Sequence, residues 1–258
     1  MANIIICGAD GRMGRSITQL AKADSDMKIV GAVDIDSSPA IGTGTPPITK
    51  SSQMADIVNK GDILVDFTAP VNTMKCLEIA VAKGASMVIG TTGLTDEQMQ
   101  IIKNASKKIP IVTSPNMSTG INILLELVEN LAEKMSNYDV EIVEIHHNKK
   151  KDSPSGTALR LAEAVAKGMK KDLNKDAIYG RHGADALRKQ GEIGIHAVRG
   201  GDVVGEHTIY FAGIGERIEI SHKASSRENL ALGALRAAKW LHNKPAGLYD
   251  MRDVLNLK

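Results

Sequence analysis

The chain has 258 residues, enough for one large domain or two modest ones around a sizeable core. Its 43% hydrophobic and 24% charged content is that of a soluble globular protein, and a formal net charge of +2 supplies no strong field toward nucleic acid or lipid. With 3% aromatics for base stacking and no apolar run of membrane-span length, nucleic acid and membrane are both excluded as partners.

The start, MANIIICGADGRMG, has no basic stretch before its apolar run and is not expected to act as a secretory signal. Cys7 and Cys76 are the only cysteines and both fall in apolar patterns, which points to core thiols and a reducing cytoplasm. Ile4–Cys7 reads as a buried parallel strand, and Gly8-Ala9-Asp10-Gly11-Arg12-Met13-Gly14 follows it directly. Ile17, Leu20 and Ala21 then recur at helical spacing. A G-x-x-G-x-x-G turn between strand and helix can bring the backbone close to a pyrophosphate. Ile29–Val33 reads as the second strand, and Asp34, 20 residues after Gly14, stands where an acid would hold ribose hydroxyls. The alternative is that Asp34 only begins the turn through Pro39.

Alternation of strand and helix continues. Ile63–Phe67 ends in Thr68-Ala69-Pro70, and Met74, Leu77, Ala80 and Val81 form a helical stripe. Met87–Ile89 closes on Gly90-Thr91-Thr92-Gly93, and Thr95 with Gln98 forms a capping box for a helix through about Lys107. Ile111-Val112 ends in Ser114-Pro115-Asn116-Met117. Ligands bind at the carboxyl ends of strands in such sheets, so Gly90, Thr91, Thr92, Ser114, Pro115, Asn116 and Met117 are candidate cofactor contacts, weighed against ordinary loop chemistry.

From Ser118 the texture changes. A long helical pattern, Ser118–Met135, precedes a strand over Val140–Ile145. That strand enters the loop EIHHNKKKDSPSGTA, Glu144–Ala158. His146 and His147 are proton carriers, and Lys149, Lys150 and Lys151 are ammonium groups. Ser153 suits an N-cap and Pro154 the first helical position, which would leave the N–H groups of Ser155, Gly156 and Thr157 as a cradle for a carboxylate. The combination suits a small acidic substrate that must gain a proton; the alternative is a solvated lysine run beside two hydrogen-bonding histidines. The histidines are adjacent and no cysteine or acid cluster joins them, so no metal site is expected. Lys167–Gln190 is polar and reads as a long loop. Strands over Gly194–Val198, Val203–Phe211 and Arg217–His222 follow, then a capping box, Ser225 with Glu228, and a helix through Leu241. The expected class is α/β: a Rossmann-like dinucleotide-binding domain over residues 1–117 and an α+β domain with a mixed sheet over 118–226.

These elements, with DFT at Asp66–Thr68, IGTTG at Ile89–Gly93, VRGGDVVGEHT at Val198–Thr208, ERIEISHKASSR at Glu216–Arg227 and GLYDMRDVLNL at Gly247–Leu257, make the sequence resemble the bacterial 4-hydroxy-tetrahydrodipicolinate (dihydrodipicolinate) reductase family over essentially its whole length. The resemblance implies hydride transfer from NADH or NADPH to a cyclic dicarboxylate imine, with loss of water, on the diaminopimelate route to lysine. It implies that His146 is a proton donor and acceptor, Lys150 a proton donor, His147 a substrate contact and Gly156-Thr157 the carboxylate cradle. It further implies cofactor contacts at Gly8–Met13, Asp34, Gly90–Thr92 and Ser114–Met117, a C-terminal segment, 227–258, that completes the first domain, and a homotetramer built by the second. Lys149 and Lys151 either touch substrate or only set the local potential. Many members of the family carry an arginine after the acid of the second strand; Ile35 stands there, so a lean toward NADH is expected, although Arg12 could still meet a phosphate. Another small Rossmann reductase would explain the first half equally well, and a non-catalytic dinucleotide sensor would be expected to lack the proton donors.

Overall fold

The computed structural model describes all residues 1–258 and divides into two compact units, Met1–Thr119 with Glu228–Lys258, and Gly120–Arg227. No helix is long and apolar enough to cross a membrane.

In the first unit the strands are β1 (Ala2–Cys7), β2 (Met27–Asp34), β3 (Ile48–Lys50), β4 (Ile63–Asp66), β5 (Ser86–Ile89) and β6 (Pro110–Thr113). The helices are α1 (Arg12–Lys22), the short α2 (Met54–Ile57), α3 (Pro70–Lys83) and α4 (Asp96–Ala105). The second unit opens with α5 (Thr119–Lys134), all but the first residue of which belongs to it. The second unit continues with β7 (Asp139–His146), α6 (Gly156–Gly168), α7 (Leu173–Asp176), β8 (Ala177–Tyr179), β9 (Ile193–Arg199), β10 (Gly205–Ala212) and β11 (Arg217–Ala224). The chain then returns to the first unit with α8 (Glu228–Leu241), β12 (Gly247–Tyr249) and α9 (Met251–Val254).

The first unit is a seven-stranded sheet in the order β12-β6-β5-β4-β1-β2-β3, with every pair parallel. Alternate residues of its central strands feed two cores, as a two-sided sheet requires. Ile4, Ile6, Ile63, Val65, Val88 and Val112 pack with α1, α8 and α9 residues such as Ile17, Ala234, Leu241 and Met251. Ile5, Cys7, Leu64, Met87, Ile89 and Ile111 pack with Leu77, Ala80 and Ile102 of α3 and α4. The order reverses direction at β1, whose neighbours are β4 and β2, so the turn after β1 lies at the switch point of the sheet.

The second unit is a mixed sheet, β11-β10-β7-β9-β8, antiparallel across β10 and parallel between β7, β9 and β8. One face is covered: Val140, Ile142, Ile193, Ile195, Ile209 and Phe211 pack against Leu124, Val128 and Ala132 of α5 and Leu161, Ala162 and Val165 of α6.

Three expectations are corrected. The loop expected over Lys167–Gln190 contains α7 and β8; β8 has three residues and is specified by its parallel pairing with Ile193–Ile195, so its own sequence carries no strand period. The last long helix begins at Glu228 and not after Ser225, because β11 runs to Ala224 and stays paired with Gly205. At the helix after the histidine loop, Ser155 and not Ser153 is the N-cap. Ser155 is extended, its Oγ accepts the Ala158 N–H at 3.1 Å, and α6 starts at Gly156, so Pro154 lies before the cap and not at the first helical position.

Candidate active site

Two sets of residues gather the chemistry, one in each unit. In the first, the glycine turn joins β1 to α1. Gly8 has φ +76°, a left-handed conformation that favours glycine. A Cβ on Gly14 would run into the Gly8 carbonyl oxygen and lie 2.6 Å from Ala9 Cα, so this glycine sets how closely helix and turn pack. The N-cap of α1 is Gly11, which has no side chain to cap the first turn, and that turn holds no acid. Its positive end is left for an anion.

Asp34 ends β2, and its carboxylate accepts from the Asp10 N–H at 2.7 Å and from the Ile35 N–H at 2.7 Å. Asp10 in turn accepts from Arg15 at 2.7 Å and from the Ser38 hydroxyl at 3.1 Å, and these bonds hold its carboxyl below the ordinary range. A cavity of about 460 Å³ opens beside Asp34, lined by Gly8, Asp34, Ile35, Asp36, Thr68 and Lys75 among others. A glycine turn, an uncapped helix start and a cavity that reaches Asp34 are features a dinucleotide can use.

The other strand ends are organised from within. Asp66 is buried at the end of β4 and accepts from the hydroxyls of Thr68 at 2.6 Å, Thr73 at 2.5 Å and Thr91 at 3.1 Å. Burial raises its pKa despite those three donors. Gly90 makes room for Phe67: a Cβ there would overlap the ring. Ser114 Oγ donates to the Asn116 carbonyl at 2.8 Å, and the Asn116 side chain accepts from the Ser118 N–H at 2.9 Å. Met117 is buried under Gly233 of α8. Thr91, Ser114 and Met117 therefore direct their side chains into the fold, and the Ser114 N–H donates to the Ile89 carbonyl at 3.1 Å.

The second set is the loop between β7 and α6. Strand alternation puts Val140, Ile142, Glu144 and His146 on the covered face of β7, and all four are buried. Glu144 has no exposed side-chain surface. Its Oε2 meets His146 Nδ1 at 2.6 Å and Arg199 Nη1 at 2.8 Å; its Oε1 accepts from Arg199 Nη2 at 2.7 Å and from the Ser155 N–H at 2.9 Å. Burial works to raise the Glu144 pKa, but Arg199, His146 and the Ser155 amide together hold it low. Arg199 stands opposite His146 in the pairing of β7 with β9 and also donates to the Asp152 carbonyl at 2.8 Å.

On the other side of His146, β10 passes at Gly205, where a Cβ would stand 2.8 Å from Nε2. His207 of the same strand packs edge-on to His146. His147 Nδ1 accepts the Lys149 N–H at 3.2 Å, so a neutral His147 presents Nε2–H as a donor. Lys150 Nζ lies 2.9 Å from the Asp152 carboxylate. Lys150 first, with a smaller contribution from the Gly156 N–H, lowers the Asp152 pKa, so a carboxylate of the chain itself already faces the ammonium and the helix start.

The structure thus brings His146, His147, Lys150, Gly156 and Thr157 onto one loop and helix start. It adds Glu144, Arg199, Gly205 and His207, which sequence reading did not single out. The missed signal was an acid two residues before His146 in an alternating strand, which puts both side chains on one face.

A family model described as "Dihydrodipicolinate reductase, N-terminus" matches residues 2–117, and one described as "Dihydrodipicolinate reductase, C-terminus" matches 120–255. The chain is 47% identical to a 4-hydroxy-tetrahydrodipicolinate reductase of Nitrosomonas europaea, covering 99% of this chain and 98% of that one. It is 46% identical to the protein of that name from Trichlorobacter lovleyi, with both chains covered in full. Among solved structures, a dipicolinate-bound dihydrodipicolinate reductase from Paenisporosarcina sp. TG-14 superposes with a TM-score of 0.78 at 23% identity over 97% of each chain, a likeness of fold.

Proposed function

Because this chain belongs to the dihydrodipicolinate reductase family, we propose that it reduces 4-hydroxy-tetrahydrodipicolinate to tetrahydrodipicolinate, with loss of water, as an NAD(P)H-dependent oxidoreductase of lysine biosynthesis through diaminopimelate. The observation that carries the reading is the loop His146–Thr157, where a histidine held by a buried carboxylate, a lysine ammonium and a helix start converge.

The glycine turn Gly8–Met13, Asp34, Gly90–Thr92 and Ser114–Met117 hold the dinucleotide, and the nicotinamide supplies a hydride when bound. The rest is done by the chain's own groups. The Gly156 and Thr157 amides and His147 Nε2–H bind one carboxylate of the substrate, and the Asp152 carboxylate yields its place beside Lys150. Hydride addition to a conjugated imine leaves negative charge that must be quenched. Lys150 supplies a proton, with His146 as donor and acceptor at Nε2, help worth about 10²–10⁴ in rate. Their cationic forms also stabilise the developing anion.

NADH is the preferred cofactor on this reading, because Asp34, Asp36 and the apolar Ile35 line the cavity where a 2′-phosphate would sit. A homotetramer is supported by β11, an edge strand whose residues are exposed or half-exposed throughout. Two free, buried cysteines fit a cytoplasmic location. Oxidation of NADH by the purified chain, coupled to the synthase that makes the imine, tests the assignment. Oxidation with a different acid only would favour another Rossmann reductase, and no turnover with any would favour a sensor.

A further inference from the structure

We propose that Glu144, braced by Arg199, is a positioning residue that fixes the tautomer of His146 and ties it to the start of the carboxylate cradle; this rests on the reading of the His146 loop given above. Four donors converge on the two oxygens of one fully buried carboxylate, which uses essentially its whole acceptor capacity. Arg199 and the Ser155 amide cannot accept a hydrogen bond, so they keep the carboxylate oriented. A neutral His146 must then donate from Nδ1 at 2.6 Å, and its lone pair is left at Nε2, the side that Gly205 keeps free of any side chain.

The same carboxylate reaches the Ser155 N–H directly, and its Arg199 partner holds the Asp152 carbonyl. Proton carrier, lysine loop and α6 start are thereby pinned by one pair of side chains. Because Arg199 balances the charge of Glu144, the pair can hold the ring without being an isolated buried ion.

Glu144→Gln gives a specific test. The Oε1 position faces two fixed donors, Arg199 Nη2 and the Ser155 N–H, so the amide oxygen must go there. The amide NH₂ is then forced toward His146 Nδ1 and Arg199 Nη1; the guanidinium cannot accept and must give way, so only the imidazole can change role. The neutral ring flips to the Nε2–H tautomer, which cannot take a proton at Nε2. Nitrogen NMR of ¹⁵N-histidine-labelled protein reads this directly, with His146→Asn assigning the signal. The wild type is expected to carry its proton on Nδ1, Glu144→Gln on Nε2, and Arg199→Lys on Nδ1 because Glu144 still accepts there.

In the full-length enzyme, kcat of Glu144→Gln is expected to fall about 10- to 100-fold, the scale of lost outer-shell support, with KM for the cofactor unchanged. A wild-type ring protonated at Nε2 overturns the proposal whether or not any variant folds. So does a Glu144→Gln protein with an unflipped ring, or with a flipped ring and undiminished kcat. If the wild type fails to reduce the imine, the functional reading falls, while the ring measurement still decides the positioning.

Discussion

His207 lies edge-on to His146, ring centroids 5.2 Å apart at an interplanar angle of 76°, and shares Ser155 with the helix start through an Oγ···Nε2 contact of 3.2 Å. Burial, and then the nearby His146, His222 and Lys150, depress the His207 pKa from 6.5 to about 4, against the opposing pull of Glu144. The unfolded chain therefore takes up a proton at a pH where the folded chain does not. Stability from this group is full above pH 6.5 and is lost as pH falls toward 4, by roughly 3 kcal/mol in all. His222, opposite His207 in the β10–β11 pairing, is shifted the same way by burial and adds to the slope. Urea unfolding at pH 7 and pH 4.5 is expected to show a smaller pH loss for His207→Asn than for the wild type; equal losses would contradict this.

Lys150→Ala removes an ammonium 2.9 Å from Asp152 without touching the first unit's cofactor cavity. kcat is expected to fall about 10²–10⁴-fold while the dissociation constant for NADH stays within twofold. Steady-state rates with fluorescence titration of the cofactor check both. An active variant removes Lys150 from the chemistry.

Gly14→Ala forces a methyl group into the Gly8 carbonyl and the Ala9 backbone. Neither neighbour is the free end of a side chain, so the turn must open, at a cost of about 1–3 kcal/mol. Cofactor affinity is expected to fall at least tenfold, measured by calorimetry, with a lowered Tm. Gly156→Ala, where a Cβ meets nothing within 4 Å, should leave Tm unchanged, so it is the control for packing.

Ile35 is half-exposed and lines the cavity between Asp34 and Asp36. Ile35→Arg places a guanidinium where a 2′-phosphate would lie and offsets the two carboxylates. The ratio of kcat/KM for NADPH to that for NADH is expected to rise about tenfold or more. A wild type that already prefers NADPH strongly would end the proposed lean toward NADH.

Much of this was legible in the sequence because parallel strands announce themselves as short apolar runs ending in glycine or polar turns. The Thr95–Gln98 capping box is present with both of its reciprocal hydrogen bonds, since its two partners are local. What escaped is non-local. β3, β8 and β12 have three residues each and are specified by the strands beside them. The cap at Ser155 was misplaced by two residues because a Ser-Pro pair and a Ser-Gly pair read alike; the Glu144 and His207 contacts that fix Ser155 come from 11 and 52 residues away. Glu144 itself looked like one acid in an apolar strand, and its meaning depends on Arg199, 55 residues on.

The most direct test is the initial rate of NADH oxidation by the purified chain with and without freshly generated 4-hydroxy-tetrahydrodipicolinate. The expected result is oxidation stoichiometric with the imine. An NADH signal that the imine leaves flat, from protein shown to bind the cofactor, would contradict the account.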